Sequence, residues 1–503
     1  MAKTVASAPG KVLLSGGYLI LEKPNAGLVI STNSRFYAIV KPFYEQVKAE
    51  SWSWAWTDVK VTSPQLSRET LYKLALQDLT LQSIPLSAIK NPFVEHAVQY
   101  SVAAARSVFK ENQENLNKQL LQGLDITILG HNDFYSYRKQ IQVSGRPLTS
   151  QTLATLPPFM KTSFNTNVAD GHGKPEVAKT GLGSSAAMTT AVVAALLHYL
   201  GAVDLSLASN EIASRNLDLV HSIAQAVHCV AQGKVGSGFD VCTAVYGSQR
   251  YVRFSPELLW NVQDAPIGTT LDKLVDHIIN EKWDHERIPF ALPPLMSLML
   301  GEPGTGGSST PSMVGAVKKW QKAEPENSQM ILRKLSKANS DLEDHFNVLT
   351  HLSKQEWIIY QSVIECCSQL VPSKWLEQAS DPKREAVVRA LIGARTAMSD
   401  VRNCMRNLGE AAGVPIEPEA QTQLLNYTLE LEGVLLAGIP GAGGFDAVFA
   451  VTLGNSTPKI AAAWCLRNVL PLNVREDPRG VALESGDLNS HQITSSLSSI
   501  TIN

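Results

Sequence analysis

The chain has 503 residues, 44% of them hydrophobic, and a formal net charge of −2. That length exceeds what one hydrophobic core fills and predicts two or three packed units. The near-neutral balance gives no argument for nucleic acid or an anionic membrane, so any polyanion site has to be local.

The six cysteines, Cys229, Cys242, Cys366, Cys367, Cys404 and Cys465, form neither CxxC pairs nor a framework spacing. They read as reduced thiols of a cytosolic protein. Residues 1–11 lack the apolar core of a signal peptide, no run of 18 apolar residues offers a membrane span, and the C-terminal Thr-Ile-Asn is not a peroxisomal Ser-Lys-Leu address. The expectation is a cytoplasmic protein without a membrane span.

In chain order, residues 5–21 predict a strand, a turn at Pro9-Gly10 and a second strand, and residues 29–40 a third. Lys11 follows the turn, either as a solvated hairpin lysine or with its ammonium facing a phosphate. Trp52, Trp54 and Trp56 alternate, which puts them on one face of a strand, read as a packed edge hairpin. Residues 91–109 predict a helix, with Pro92 near its start and Val94, Ala97, Val98 and Ser101 at helical spacing. Residues 110–118 read as a polar surface link, 125–129 as a strand, and 131–166 as a long polar connection, partly mobile.

Residues 179–187 read K-T-G-L-G-S-S-A-A and precede a run, 186–200, that lacks Gly and Pro and predicts a buried helix. Two readings of this stretch stand. Ser184 or Ser185 N-caps the helix, or the glycines let a phosphate approach the helix start, where backbone N–H groups and the dipole favour an anion. A Walker A loop is excluded, because no Lys-Ser/Thr pair follows the second glycine. The spacing Gly181-x-Gly183-x-x-Ala186, with Asp204 further on, fits a Rossmann fingerprint, but the required strand is missing before it.

Residues 206–232 predict a second helix stopped by Gly233. The turn that follows, G-K-V-G-S-G-F-D-V, sets Asp240 before an apolar segment, 241–246. Asp240 there either satisfies turn amides or serves as a general base. Arg250 and Arg253 lie on a strand, three apart, so at most one reaches a given site. His277, Asp284 and His285 have no helical ligand spacing and read as a solvated face. Residues 295–300 predict a strand leading into G-E-P-G-T-G-G-S-S-T-P, 301–311, where Thr305, Ser308, Ser309 and Thr310 line either an oxyanion pocket or a hinge between lobes. Long helical patterns cover 329–370 and 384–408, with acidic 341–344 beside His345 on a solvated face. A third glycine loop, P-G-A-G-G-F-D at 440–446, lies between apolar segments 431–439 and 447–453. Residues 459–468 close the pattern as a helix, and 485–503 read as a frayed, Ser-rich end.

The three loops, P-G-K, G-L-G-S-S-A-A and P-G-A-G-G-F-D-A, in this order resemble the GHMP kinase superfamily. Together with G-S-G-F-D-V, G-S-Q-R-Y-V-R-F and G-E-P-G-T-G-G-S-S-T-P they are similar to its eukaryotic, fungal-like phosphomevalonate kinases, over nearly the whole chain. The resemblance implies an α+β, two-lobed fold. The N-terminal lobe, residues 1–255, would be like ribosomal protein S5 domain 2, and the C-terminal lobe, residues 256–503, ferredoxin-like. It implies ATP and Mg²⁺ as cofactors and 5-phosphomevalonate as the acceptor, with a monomer or a homodimer both open.

By the same resemblance Lys179, Thr180, Gly181, Leu182, Gly183, Ser184, Ser185, Ala186 and Ala187 bind ATP, and Ser185, then Ser184, ligates the metal. Lys11 and Asp240 are catalytic, Lys11 close enough to stabilise the Asp240 carboxylate. Tyr18, Ser237, Gly238, Ser308, Ser309 and Arg250 are candidates for the substrate. Two departures stand out. Gly16-Gly17-Tyr18 replaces the G-E-H or G-E-Y of many relatives, and the Mg²⁺-binding Glu of mevalonate kinase has its nearest counterpart at His228. Another GHMP kinase activity, or a non-catalytic sensor on the same fold, are the competing readings; a sensor would be expected to have lost Lys11, the serines or Asp240.

Overall fold

The extended backbone that begins at Thr4 runs on through Pro9-Gly10. In the computed structural model, which describes residues 3–45, 55–85, 90–162, 164–165, 176–207, 211–259, 269–304 and 310–484, β1 is one strand, Thr4–Ser15. It pairs antiparallel with β2, Ala26–Pro42, and the register shifts between Pro9 and Lys11 and again between Leu13 and Ser15. Proline has no N–H for the ladder, and a bulge accommodates it. The expected turn at Pro9-Gly10 is therefore a bulge, and the expected strand at 18–21 is a single 3₁₀ turn, Leu19–Leu21.

β2 organises the first sheet. One edge carries β1; the other is shared by β9, Gln249–Val252, and β6, Leu124–Gly130. Beyond β6 lie β3, Trp56–Ser63, β4, Arg68–Ala75, and β5, Leu81–Ile84. Beyond β9 lies β10, Glu286–Pro289, and β15, Ala482–Leu483, adds to β1. Both additions come from beyond residue 255, where the boundary between lobes was expected. Trp56 opens β3 and is 39% exposed; Trp52 and Trp54 lie outside the described residues.

One face of this sheet carries α5, Ser184–Tyr199; α1, Pro92–Val108, and α6, Glu211–Gln232, pack against α5. α5 is apolar all round, as a helix buried between a sheet and other helices has to be. Residues 110–118, expected as a surface link, lead into α2, Glu114–Leu121, which buries Leu116, Leu120 and Leu121. The described part of the stretch after β6, to residue 162, is likewise built of packed elements. It forms α3, Arg138–Val143, and α4, Ser150–Ala154, anchored by buried Phe134, Tyr137, Ile141 and Leu153. A short antiparallel pair, β7, Phe164–Asn165, and β8, Glu176–Val177, precedes α5, and α7, Phe239–Tyr246, follows α6.

The second sheet is antiparallel, in the order β12, Val434–Gly438; β13, Val448–Leu453; β11, Met296–Glu302; β14, Leu470–Pro471. Two long helices, Pro325–Gln355 and Pro382–Ala412, pack along each other beside it. The second begins where Asp381 accepts the N–H groups of Lys383 and Arg384 and ends at Gly413. Among the described residues no helix is long and apolar enough to cross a membrane.

Candidate active site

Residues 178–183 are stitched to their neighbours before they turn into α5. Lys179 bridges to Tyr135. The Thr180 side chain donates to the Asp133 carbonyl, and its N–H to that of Phe134 at 3.3 Å. Leu182 is buried, and its carbonyl accepts the Lys11 N–H at 2.9 Å. The loop is thus held against β1 at the bulge. Gly183 is the N-cap residue, with φ 74° and no side-chain cap. The expectation that Ser184 or Ser185 caps the helix is corrected: both lie inside its first turn. A helix start whose cap residue has no side chain presents its N–H groups and positive dipole end to a ligand.

Lys11 reaches over this turn. Its Nζ donates to the Gly181 carbonyl at 3.0 Å and lies 5.6 Å from the centre of the Phe239 ring. Burial lowers the pKa of its ammonium, and the charge of Asp240 opposes that shift. A Cβ on Gly183 would come within 2.9 Å of the Lys11 Cε, so glycine is what lets the lysine cross the loop.

Asp240 sits in the first turn of α7, after Gly238 at φ 83°. A side chain at Gly238 would collide with Phe254, Tyr251 and Gln225. The turn is braced from below. Arg253 donates to the carbonyls of Val235, Gly236 and Leu21, and the Tyr251 hydroxyl donates to the Ser237 carbonyl at 2.9 Å. The Asp240 Oδ1 accepts the Val241 N–H at 3.0 Å, and its Oδ2 lies 3.9 Å from the His228 Nε2.

His228 joins the two halves of the site. Its Nε2 is 3.1 Å from the Ser185 Oγ and 3.1 Å from the Gln232 amide nitrogen, one turn along α6. Burial lowers its pKa, with Asp240 opposing and Lys234 adding to the shift, so the ring is neutral at neutral pH. An amide N–H directed at Nε2 makes that nitrogen the acceptor and leaves the proton on Nδ1. The Ser185 hydroxyl then donates to His228 and keeps its lone pairs for another partner.

The third glycine loop closes on the same place. The Tyr18 hydroxyl donates to the Ala442 carbonyl at 2.8 Å, and the Gly441 N–H points to the Leu13 carbonyl at 3.4 Å. The Gly16 N–H reaches Asn339 of the helix Pro325–Gln355 at 3.3 Å. A Cβ added to Gly181 would stand 3.9 Å from that of Ala447. The structure therefore brings Lys11, Tyr18, residues 179–187, Ser237, Gly238 and Asp240 into one region. Arg250 is engaged elsewhere, its Nε 2.8 Å from Glu343. Ser308 and Ser309 lie outside the described residues. The resemblance singled out His228, but its place between Ser185 and Asp240 depends on how α6 packs against α5 and α7. The bracing role of Arg253 had no signal in the sequence. An open groove of about 980 Å³ lies elsewhere, between the β3–β4 hairpin and the end of α1, and none of these residues lines it.

Beside the His228 imidazole, the oxygen donor set consists of the Ser185 hydroxyl and, across that ring, the Asp240 carboxylate. It suits Mg²⁺, which takes few protein ligands and completes its shell with phosphate oxygens and water.

Comparison with known proteins agrees with this geometry. The family model for the GHMP kinases N terminal domain matches residues 161–248. The chain is 62% identical over 499 residues to "Phosphomevalonate kinase, peroxisomal" of Arabidopsis thaliana, covering 99% of each chain. It is 32% identical over 453 residues to a phosphomevalonate kinase of Gibberella zeae, covering 88% of this chain and 86% of that one. In fold it is similar to the Streptococcus pneumoniae phosphomevalonate kinase solved with phosphomevalonate and AMPPNP (TM-score 0.55, 14% identity, 95% of this chain and 100% of that one). It is also similar to the Lin0012 protein of Listeria innocua (TM-score 0.60, 16% identity, 96% and 100%). With a full-length relative at this identity and the GHMP kinase fold, the chain belongs to the phosphomevalonate kinase family of GHMP kinases.

Proposed function

We propose that the chain transfers the γ-phosphoryl group of ATP to the phosphate of (R)-5-phosphomevalonate, giving ADP and (R)-5-diphosphomevalonate, a step of the mevalonate route to isoprenoids and sterols. The observation that carries this reading is the meeting of Lys11, Ser185, His228 and Asp240 at one uncapped helix start, in a family member matched over its full length. An acceptor phosphate oxygen attacks the γ-phosphorus as the bond to the β,γ-bridging oxygen breaks, and ADP leaves with that oxygen. ATP and the acceptor together bring about six or more negative charges at neutral pH. Catalysis is therefore mainly positioning and charge neutralisation.

In this reading the N–H groups at the start of α5 hold the triphosphate, with Lys179, Thr180 and Leu182 fixing the loop and Gly181 and Gly183 clearing it. Ala186 and Ala187 pack the first turn into the core. Ser185, and next Ser184, would hold Mg²⁺, which when bound supplies charge neutralisation between phosphate oxygens. Lys11 neutralises the transferring group. Ser237 and Gly238 shape the acceptor side, and Tyr18 contributes by holding the third loop. Arg250, held by Glu343, acts at most at longer range. The acceptor phosphate has a second pKa of about 6 and needs little deprotonation, so Asp240 orients and stabilises charge.

An assay of ADP release with mevalonate and phosphomevalonate side by side tests the substrate. Turnover of phosphomevalonate alone is expected; turnover of mevalonate alone would replace this activity by another GHMP kinase reaction, and ATP binding without turnover of either would favour a sensor. For Asp240→Asn the expected pH–rate profile stays low at alkaline pH; recovery there would sink the positioning role. The compartment is a separate question. The Arabidopsis relative is named peroxisomal, whereas the expectation from the cysteines is cytoplasmic, and imaging of the tagged full chain decides between them. Size-exclusion chromatography with light scattering decides between monomer and homodimer.

A further inference from the structure

His221, Cys242 and His285 come together where α6, α7 and the residue before β10 meet, two turns along α6 from His228. One ligand atom from each, an imidazole nitrogen or the thiol sulfur, lies within 4.8 Å of the others. His221 is 1% exposed and Cys242 0%. The imidazole rings of His221 and His285 stand 4.5 Å apart, boxed in by Trp283, Tyr246 and Tyr251. Two polar atoms here have no partner among the described residues, the His221 Nε2 and the His285 Nδ1, although both are fully buried. A buried ring nitrogen left without a partner costs free energy. Two of them beside a buried thiol, which donates to the Gln249 Oε1 at 3.6 Å, describe a ligand set whose two imidazoles lack a partner.

We infer that His221, Cys242 and His285 form a binding site for a zinc-class divalent metal ion, separate from the catalytic metal and independent of the reaction proposed above. Nitrogen and thiolate donors suit zinc or cobalt and not Mg²⁺. A tetrahedral zinc ion with bonds of about 2.0–2.3 Å spaces its ligand atoms roughly 3.5 Å apart, so the three side chains need to draw in by about 1 Å. Water takes the fourth position. Burial and then the charge of Arg287 hold His285 down at about 4, and burial together with His285 and Arg287 keeps His221 well below the usual range. Both imidazoles are thus neutral and free to ligate. Burial pushes the Cys242 thiol up to about 12, so on binding the sulfur passes its proton to solvent and the metal–sulfur bond replaces the S–H bond.

The position gives the ion a structural task. His221 lies seven residues, two turns, before His228 on α6, and Cys242 lies two residues after Asp240 on α7. His285 stands just before β10. A metal here clips α6, α7 and the paired strands β9 and β10 together beneath the catalytic pair.

The test is cobalt(II) titration of the full-length, chelator-treated protein, read by absorption. Wild type is expected to develop a thiolate-to-cobalt charge-transfer band and tetrahedral d–d bands that saturate at one cobalt per chain. Cys242→Ser and His285→Gln are expected to lose the charge-transfer band, while Cys366→Ser keeps it. Zinc is expected to raise the melting temperature of wild type and not of Cys242→Ser. If Cys242→Ser does not fold, His285→Gln, whose residue is only partly buried, decides alone. Absence of the band in folded wild type, as a bridging water in place of a metal would give, overturns the site. So does a band that persists unchanged in the folded variants.

Discussion

At Gly183 two constraints meet in one residue, a left-handed backbone and the crossing of Lys11 over the loop. Gly183→Ala should therefore lose about 1–2 kcal/mol of stability from strain and more than tenfold in kcat, because the lysine is displaced; an unchanged kcat would mean that Lys11 does not act from its observed place. Lys11→Met removes a charge aimed at the transferring group. It should lower kcat by roughly a hundred- to a thousandfold, with little change in the KM for ATP. His228 acts through Ser185, so the two should be coupled. Ser185→Ala and His228→Leu should each reduce kcat, and the double variant should resemble Ser185→Ala alone. Fully additive losses in steady-state assays would show that His228 does not orient the serine.

Among the elements, those read correctly from the sequence were the ones whose signal is local. The run after Gly183 could only be a buried helix, and 91–109 carried its period and its Pro92. The errors came where packing overrode composition. Residues 131–162 are polar by count, yet Phe134, Tyr137 and Ile141 recur closely enough to anchor two short helices. Pro9-Gly10 reads as a turn, but pairing with β2 on both sides converts it into a bulge. The site was legible as three glycine loops in order; which side chains meet between them was not. That depends on α6 presenting His228 to α5, and on Arg253 holding a turn seventeen residues upstream. The contact between loops is itself testable. Tyr18→Phe removes the hydrogen bond to the Ala442 carbonyl, worth about 1 kcal/mol net. It should weaken turnover about fivefold while leaving the melting temperature nearly unchanged; no kinetic effect would mean that the third loop is placed without it.

For the whole molecule, buried ionisable groups set how stability follows pH. His96, His221, His228 and His285 all have pKa values lowered chiefly by burial. The unfolded chain therefore binds protons near pH 6.5 that the folded chain refuses. Stability that is complete above about pH 6.5 is lost as the pH falls through the window down to about 4, where His285 titrates. Glu302 and Glu476 oppose this. Burial raises both, Glu476 to about 7. Their contribution is complete below the ordinary glutamate pKa of 4.5 and is lost as pH rises through the folded value. Between about pH 4.5 and 6.5 up to four histidine protons outweigh up to two from the glutamates. Stability should therefore climb with pH there, at about 1.4 kcal/mol per pH unit for each net proton. Thermal melting of the chelator-treated full chain from pH 4.5 to 8 checks the sum. Wild type should gain melting temperature up to about pH 6.5 and then level off. His221→Asn should flatten the rise, and Glu476→Gln should steepen it below pH 6.5 and stabilise the protein at pH 8. A wild-type curve that is flat or falls between pH 4.5 and 6.5 would mean that the histidines are not held neutral by burial, and with that the neutral His228 facing Ser185 would fall too.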